Sequence, residues 1–558
     1  MNSSIKKKIV FLVSFLVFSL NLYSVDSARV YDETYFSGPS EIDSLNSIFK
    51  LVKDIDDQLN INSKNLKSTK YSLGVYSITH NRWYYSKDID KPLTPASTTK
   101  LFTTYTLINL LGIDYSIPTE VYYDGSINDN GTLNGNLYIR GKGDPLFSTS
   151  DLELLADKVR KSGILKINGK IIADPTYFDE KTERSVYSGD NEVVQHTPPI
   201  TSLNIDRNTS TIIVTAGSQN GVKPNIHVMP NSDSHIIINN AKVGTPAIPK
   251  RKPQTRRKKR SRGENNIQHY DNFIKPSEDL PMGDFNSLML LNSFAGIKVG
   301  TNLTSDGKQQ FIVNGTLKPN STYSYQHLLY NPPLSIAGAF KNRLKAGGIN
   351  VTGDISVKGW DSVSNKTELK FLTDFRRPVF DVINIVNKDS DNYLAEILFK
   401  IIGASAGEQN DVASQTRRIT DSIIKNHGID FSGCVLNDGS GLSRRNLVTS
   451  KSLIQILEKT YHSVGKNKYW NSLSLASVDG TLKKRMKDTP AERNLAAKTG
   501  TLRNVSALAG YVTTIGGEEL AFAFIFNGPN VGAYKLLENE LGRILSSYQV
   551  VDSNPEVK

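Results

Sequence analysis

Three short polar motifs, spread from Ser97 to Thr501, most constrain how this chain can fold. They read STTK at Ser97–Lys100, SDN at Ser390–Asn392 and KTGT at Lys498–Thr501. The second motif begins 293 positions after the first, so only the tertiary fold can bring the three together. Among their side chains are two serine hydroxyls, two lysines and an amide, which are the groups that acyl transfer without histidine requires.

The first motif predicts a nucleophile and its base. Ser97 and Lys100 are three positions apart, which on a helix puts their Cβ atoms on one face, about 5 to 6 Å apart. Burial and a second cation, for which Lys498 is the candidate, lower the pKa of a lysine until its neutral form can take the serine proton. The positive end of the helix dipole would favour the developing alkoxide.

The other two motifs predict the remaining parts of such a site. A hydroxyl between two lysines, here Ser390, suits a proton shuttle to the leaving amine, and Asn392 offers a donor and an acceptor to a substrate amide. Thr499 and Thr501 offer hydroxyls to a terminal carboxylate beside the charge of Lys498. The backbone N–H groups of Ser97 and Thr501 are the expected oxyanion hole, in which one donor is typically worth about 2.7 to 4 kcal/mol.

Each motif is weak on its own. The SxxK pattern also occurs twice between Ser3 and Lys7, the SDN triplet could be a helix cap, and KTG could be a glycine turn. Their joint occurrence, in order and each on a suitable element, favours catalysis. The histidines form no HExxH pattern and Gly439–Gly441 lacks the leading glycine of GxSxG, so neither a metal or other cofactor nor a hydrolase elbow is predicted.

The N-terminus predicts export. Lys6–Lys8 precede an apolar run from Ile9 to Leu22, as in a secretory signal peptide, here assigned to residues 1–28. An uncleaved anchor is the alternative, but the run is shorter than the roughly 20 residues of a spanning helix. The single cysteine, Cys434, excludes an internal disulfide framework and is expected to be a buried small side chain.

The sequence patterns along the chain predict a domain that is interrupted by an insert. Strand alternation at 71–78 and 83–85 is followed by a helix, apolar almost all round, that ends at Gly112. Residues 119–377 carry hairpin signals and read as a β-rich insert with one or two nested subdomains, and helices and strands return in 378–558. The catalytic domain is therefore expected in two parts, 29–118 and 378–558.

A basic loop lies inside the expected insert. The chain carries a formal net charge of +12, and nine of its cations fall within residues 250–262 of a loop placed at 244–286. A solvated, disordered loop is one interpretation and contact with a polyanion, such as a wall polymer or acidic lipid, is the other. Because export is predicted, no nucleic acid is expected as a partner.

With these residues in view, the chain resembles the class C low-molecular-mass penicillin-binding proteins, the D-Ala-D-Ala carboxypeptidase/endopeptidase family of the bacterial cell wall. SxxK, SDN and KTG occur together in penicillin-binding proteins and class A β-lactamases. Further similarity lies at Gly141–Pro145 (GKGDP), Asp438–Arg444 (DGSGLSR) and Ser477–Leu482 (SVDGTL). Members of this family carry extra domains between the first two motifs, whereas β-lactamases do not.

The resemblance implies an α/β (α+β) fold of the penicillin-binding/β-lactamase-like type, with an antiparallel sheet flanked by helices and split by the insert. It implies an exported, periplasmic or wall-associated carboxypeptidase, with D,D-endopeptidase activity left open, that acts on peptidoglycan stem peptides and is trapped by β-lactams. The oligomeric state is not indicated.

The resemblance also assigns roles by position. The implied catalytic residues are Ser97 as nucleophile, Lys100 as base, Ser390, Asn392 and Lys498. The implied substrate-binding residues are Thr499, Gly500 and Thr501, Ser440 and Arg444 at the carboxylate of the diamino acid, and Asp190 at its free amine. Arg503 departs from the pattern, since some relatives have a small polar side chain there.

Two rival functions are also compatible with the motifs. One is a β-lactamase-like hydrolase, against which stand the large insert and the lack of an ExxLN stretch after Asn392. The other is a wall-binding protein with vestigial catalysis, against which stand the intact Ser97, Lys100 and Lys498.

Overall fold

The computed structural model describes residues 39–190, 197–245, 296–359, 369–407, 410–463 and 466–549. The predicted signal peptide and the basic run at 250–262 lie outside these residues. The chain divides into two compact units, of which unit 1 includes the residues up to Tyr115, a short segment beginning at Arg184, and the residues from Pro378 onward. Unit 2 includes Ser116–Glu183 and the described residues from 197 to Arg377.

The helices of the described residues are numbered in chain order. They are α1 (Pro39–Ile61), α2 (Ser63–Leu66), α3 (Thr99–Leu111), α4 (Thr149–Lys161), α5 (Arg184–Ser188), α6 (Pro332–Ala346), α7 (Val379–Lys388), α8 (Asn392–Ala404), α9 (Val412–Asn426), α10 (Ser450–Ser463), α11 (Lys466–Ser472) and α12 (Val531–Ser547). Short 3-10 turns span Ala96–Thr98, Asp206–Asn208 and Gly480–Leu482. Among the described residues, no helix is both long enough and apolar enough to cross a bilayer.

The strands of the described residues are numbered in the same way. They are β1 (Lys70–Ser77), β2 (Arg82–Lys87), β3 (Ser116–Tyr123), β4 (Ser126–Ile127), β5 (Thr132–Asn134), β6 (Leu137–Gly141), β7 (Lys166–Ile167), β8 (Ile171–Asp174), β9 (Thr209–Thr215), β10 (Asn225–Met229), β11 (His235–Val243), β12 (Ile297–Leu303), β13 (Gln309–Leu317), β14 (Thr322–Leu328), β15 (Asn350–Val351), β16 (Ile355–Val357), β17 (Lys370–Pro378), β18 (Ser474–Leu475), β19 (Ala496–Leu502), β20 (Val505–Thr513) and β21 (Glu519–Asn527).

Unit 1 is built on an antiparallel sheet with the strand order β18-β19-β20-β21-β1-β2. Successive side chains of a strand point to opposite faces. Leu73 and Val75 of β1 join the apolar cluster formed with α1 and α12, whereas a Cβ at Gly74 would meet Ile454 of α10. The sheet is therefore covered by helices on both faces, which is the layer arrangement expected from the sequence.

A bundle of helices in unit 1 surrounds α3. Residues Thr99–Ile108 of this helix are all buried, and it contacts α7, α8, α9 and α10. The prediction of a buried helix ending at Gly112 is confirmed, and Gly112 caps it with φ +85°. The strands β1 and β2, and the return of helices and strands after residue 378, are also as predicted.

Unit 2 contains two apolar cores. One lies under α4 and α6, beside the sheets β16-β8-β6-β3-β17 and β15-β7-β5-β4. The other lies between the sheets β10-β9-β14 and β11-β13-β12. The unit is rich in strands, although α4 and α6 are helices that the hairpin signals did not indicate.

One segment departs from the domain boundaries expected from the sequence. The predicted insert, 119–377, runs through Arg184–Ser188 and Asp190, yet the structure groups these residues with unit 1. Tyr187 and Ser188 are buried, as is Arg184 itself. A short piece from the middle of the expected insert thus belongs to the same unit as the three motifs.

Candidate active site

The first motif forms the turn that enters α3. Ser97 lies in the 3-10 turn Ala96–Thr98, two positions before the α-helix begins at Thr99. Ala96 has φ +49°, a left-handed conformation that costs a residue with a side chain roughly 1–2 kcal/mol. Such strain persists only where the surroundings hold the backbone in place.

Two glycines let neighbouring backbone approach this turn. A Cβ at Gly441 would lie 2.0 Å from the carbonyl oxygen of Ala96, and a Cβ at Gly500 would lie 2.6 Å from that of Pro95. Both distances are too short for a side chain. The loop that contains Gly441 and the strand β19 therefore press directly on the turn that carries Ser97.

Lys100 is buried and makes three polar contacts. Its Nζ atom lies 2.9 Å from Oγ of Ser97, 2.8 Å from Oδ1 of Asn392 and 2.5 Å from the carbonyl oxygen of Ser440. The amide and carbonyl oxygens can only accept. A neutral amine has two N–H groups and one lone pair, so these two acceptors occupy both N–H groups and the lone pair is left for the hydroxyl of Ser97.

The surroundings of Lys100 favour this neutral form. Burial lowers the pKa of Lys100 from 10.5 to about 8. The carboxylates of Asp438, Glu396 and Asp391 act in the opposite direction and keep the pKa from falling further. About one Lys100 side chain in ten would then be neutral at pH 7, and most would be neutral above pH 9.

The second motif stands at the start of α8. Asp391 is the N-cap residue, and its Oδ1 atom accepts a hydrogen bond of 2.9 Å from the N–H of Leu394. The cap orients Asn392, the first residue of the helix, toward Lys100. Ser390 precedes the cap with φ +60°, a second strained position in the site.

The third motif contributes a second buried lysine. Lys498 donates hydrogen bonds to Oγ of Ser390, at 2.7 Å, and to the carbonyl oxygen of Thr499, at 3.0 Å. Burial lowers the pKa of Lys498 well below its ordinary value, and the positive charge of Lys100 lowers it further. The two lysines therefore disfavour each other's charged forms.

The strand β19 begins at Ala496, so the KTG motif lies inside the strand rather than at its start. Thr499 and Thr501 are two positions apart and lie on one face of the strand. Thr501 is exposed, and Thr499 donates a hydrogen bond of 2.8 Å to Oγ1 of Thr481. Thr481 belongs to the SVDGTL stretch, which thereby contacts the KTG motif.

The loop Asp438–Asn446 brings the other expected substrate residues beside the motifs. Ser440 is buried and contacts Lys100 through its backbone carbonyl. The side chain of Arg444 donates to the carbonyl oxygen of Arg503, at 3.0 Å, and its backbone N–H donates to Oδ2 of Asp190, at 2.9 Å. Asp190 thus lies at this loop, although its own sequence neighbourhood did not indicate so.

Sequence reasoning missed three buried residues behind this loop. Arg184 donates to Oδ2 of Asp438 at 3.1 Å, and Tyr187 donates to Oε2 of Glu396 at 2.8 Å. Of the three, only Glu396 could have been noticed in the sequence, because Glu396 and Lys400 are charged residues within an otherwise apolar helix. Arg184 and Tyr187 lay in a segment expected to belong to another domain and carried no signal.

Two other candidate chemistries, a metal site and a reactive cysteine thiol, gain no support from the described residues. Among the described residues, no group of three His, Cys, Asp or Glu side chains is arranged to hold a metal. Cys434 is partly rather than fully buried, and burial raises the pKa of its thiol, which disfavours the reactive thiolate.

The sequence matches the D-Ala-D-Ala carboxypeptidase 3 (S13) family over residues 51–269 and 272–546. It is 28% identical to a D-alanyl-D-alanine carboxypeptidase of Actinomadura sp. (strain R39) over 83% of this chain and 79% of that one. It is 25% identical to the D-alanyl-D-alanine carboxypeptidase DacB of Haemophilus influenzae over 78% of this chain and 81% of that one.

The fold is also similar to that of a solved structure. The crystal structure of penicillin binding protein 4 from Haemophilus influenzae matches with a TM-score of 0.62 and 22% sequence identity. The match covers 89% of this chain and 99% of that one. The expected penicillin-binding/β-lactamase-like fold class is thereby confirmed.

Proposed function

The chain belongs to the D-Ala-D-Ala carboxypeptidase 3 (S13) family, and from this premise we propose that Ser97 attacks the D-Ala-D-Ala terminus of peptidoglycan stem peptides. The chain is a serine-type peptidase of this family, as its carboxypeptidase relatives indicate. Family membership favours this activity over the β-lactamase-like and vestigial alternatives. The set of hydrogen bonds made by Lys100 is the observation that supports the catalytic roles proposed for these residues.

In the acylation step, the neutral Nζ of Lys100 takes the hydroxyl proton of Ser97 as Oγ attacks the carbonyl carbon between the two D-alanines. The amine donates its two N–H groups to Oδ1 of Asn392 and to the carbonyl oxygen of Ser440. These two hydrogen bonds hold Nζ so that its lone pair faces Oγ of Ser97. The backbone N–H groups of Ser97 and Thr501 are the proposed oxyanion hole. The close approach of Gly500 to the turn at Ser97 supports this pairing.

The departing D-alanine needs a proton on its amine nitrogen, and Ser390 is the proposed donor. The proton that Lys100 took from Ser97 then replaces the one that Ser390 gives up, so both side chains return to their neutral forms. Lys498 donates to Oγ of Ser390, so that bond leaves the hydroxyl proton of Ser390 available for another acceptor. Thr499, Gly500 and Thr501 would bind the terminal carboxylate beside Lys498. Water then hydrolyses the ester at Ser97, which frees the enzyme and releases the shortened peptide.

The finer points of specificity and location are proposals of the same kind. Ser440, Arg444 and Asp190 are the proposed contacts of the diamino acid of the stem peptide. A second cut at D-Ala to diamino-acid cross-links would make the protein a D,D-endopeptidase as well. An exported protein of the periplasm or cell wall fits this substrate. β-Lactams, which mimic the terminus, would acylate Ser97.

Mass spectrometry of the purified protein after incubation with benzylpenicillin tests the assignment. We expect a covalent adduct on the tryptic peptide that contains Ser97, and none in the S97A variant. The S443A variant, which alters a buried serine in the neighbouring loop, should still form the adduct. A folded wild-type protein that forms no adduct, or an adduct that persists in S97A, would rule out Ser97 as the nucleophile.

A further inference from the structure

Glu396 is a buried carboxylate that the mechanism above does not use. It lies on α8 one turn after Asn392, with no exposed surface. Its Oε1 accepts from the backbone N–H of Ser440 at 2.9 Å, and its Oε2 accepts from the N–H of Gly439 at 3.3 Å and from the hydroxyl of Tyr187 at 2.8 Å. Three donors therefore converge on one side chain, in a place where an ionised carboxylate would otherwise be costly.

Ser440, whose backbone N–H binds Glu396, also contacts Lys100, the proposed base. The N–H of Ser440 donates to Glu396, and the carbonyl oxygen of the same residue accepts from Nζ of Lys100 at 2.5 Å. Asn392 and Glu396 are four positions apart, so they share a face of α8. One helix thus contacts Lys100 directly through Asn392 and indirectly through Glu396 and Ser440.

We propose that Glu396 is a positioning residue for Lys100: its buried carboxylate fixes the Ser440 peptide, whose carbonyl takes one N–H of the amine and so directs the lone pair at Ser97. Tyr187 completes the arrangement by fixing the carboxylate itself. This inference rests on the proposed role of Lys100 as the base for Ser97.

The charge of Glu396 adds an electrostatic effect to the geometric one. The charged groups that face Lys100 are the carboxylates of Asp438, Glu396 and Asp391, which raise its pKa, and Lys498, whose own pKa the charge of Lys100 lowers. Burial and the carboxylate of Asp438 raise the pKa of Glu396, and hydrogen bonds with the side chains of Ser440 and Tyr187 and the charge of Arg184 lower it. Removing the charge of Glu396 should therefore lower the pKa of Lys100.

Stopped-flow rates of acylation by a chromogenic β-lactam, measured from pH 6 to pH 10, separate positioning from mere stability. In E396Q we expect the rate at high pH to fall about tenfold, because a charge-assisted contact to the Ser440 N–H is weakened. We also expect the acid limb of the profile to move to lower pH, by up to about one unit.

Two further variants complete the test. Y187F removes one hydrogen bond but keeps the carboxylate, so it should lower the rate without moving the acid limb. E538Q alters another fully buried glutamate of unit 1, bonded to Arg485 and Ser506, and should lower stability while leaving both rate and profile unchanged.

The outcomes that overturn the inference are distinct from those that overturn the function. If E396Q keeps the wild-type limb, or if E538Q changes the profile as E396Q does, Glu396 only stabilises the fold. Should E396Q fail to fold, an unaltered rate in Y187F would overturn the positioning role. If wild-type Ser97 is not acylated at all, the proposed function fails instead.

Discussion

Nζ of Lys100 lies 2.9 Å from Oγ of Ser97, across the junction between the 3-10 turn and α3. The hydrogen bond can transfer a proton only when the amine is neutral. Because the pKa of Lys100 is lowered to about 8, the rate of acylation by penicillin should rise roughly tenfold per pH unit below pH 8 and level off above it. Rates measured from pH 6 to pH 10 check this, and a profile that is flat through pH 8 would contradict it.

The ionisation of Lys100 should also make the free energy of unfolding depend on pH. The pKa of Lys100 is about 8 in the folded protein and near 10.5 when unfolded, so between these values the unfolded state binds more protons and the free energy of unfolding rises with pH. The cost of burying the charged form is fully present below pH 8 and is gone by about pH 10.5.

Comparison with K100M isolates this contribution, because methionine has similar size and no charge. Between pH 8 and pH 10.5, the free energy of unfolding of the wild type should rise by on the order of 2 to 3 kcal/mol more than that of K100M. Calorimetric unfolding of both proteins across this range measures the gain. A difference in stability that is constant with pH would show that the pKa of Lys100 is not lowered by folding.

The sequence predicted the parts of this structure that depend on local pattern. Alternation in β1 and β2 and the apolar surround of α3 identified those elements, and the order of the motifs identified Ser97, Lys100 and Lys498 as candidates. Local pattern carries no record of contacts such as that of Arg184 with Asp438, 254 positions away. Nor does it indicate the left-handed backbone at Ala96 and Ser390, which only tertiary packing imposes.

Gly441 offers a test of how tightly the nucleophile turn is packed. In G441A the new Cβ would lie 2.0 Å from the carbonyl oxygen of Ala96, which is backbone and cannot move aside without shifting Ser97. A shift of about 1 Å at a reacting group costs roughly 100-fold in rate. We expect acylation by penicillin to fall by at least that factor.

Gly517 provides the matched control for this substitution. It has φ +81°, close to the φ +83° of Gly441, but a Cβ there would meet nothing within 4 Å. G517A should therefore show only the strain of a left-handed alanine, about 1 to 2 kcal/mol, with normal acylation. Equal loss of acylation in both variants would mean that the strain alone, and not the contact with Ala96, explains the effect.

Arg184 should stabilise the loop that carries Ser440, although it comes from the segment expected in the insert. Its guanidinium lies 3.1 Å from Oδ2 of Asp438, and the two side chains are 6% and 0% exposed. The carboxylate of Asp438 also accepts from the N–H groups of Gly441 and Ser443. In R184M these backbone donors would remain, but a buried charge would lose its counter-ion.

Breaking a buried pair from one side costs about 3 to 5 kcal/mol, and the remaining donors favour the lower end of that range. Hydrogen exchange of the amides in Asp438–Asn446 should accordingly become about 100-fold faster in R184M, because local opening becomes easier. The pair Lys425–Asp421 is the control, since its side chains are 67% and 45% exposed and K425M should change exchange in α9 by less than about threefold. Protection of the loop that is unchanged in R184M would show that Arg184 does not hold Asp438.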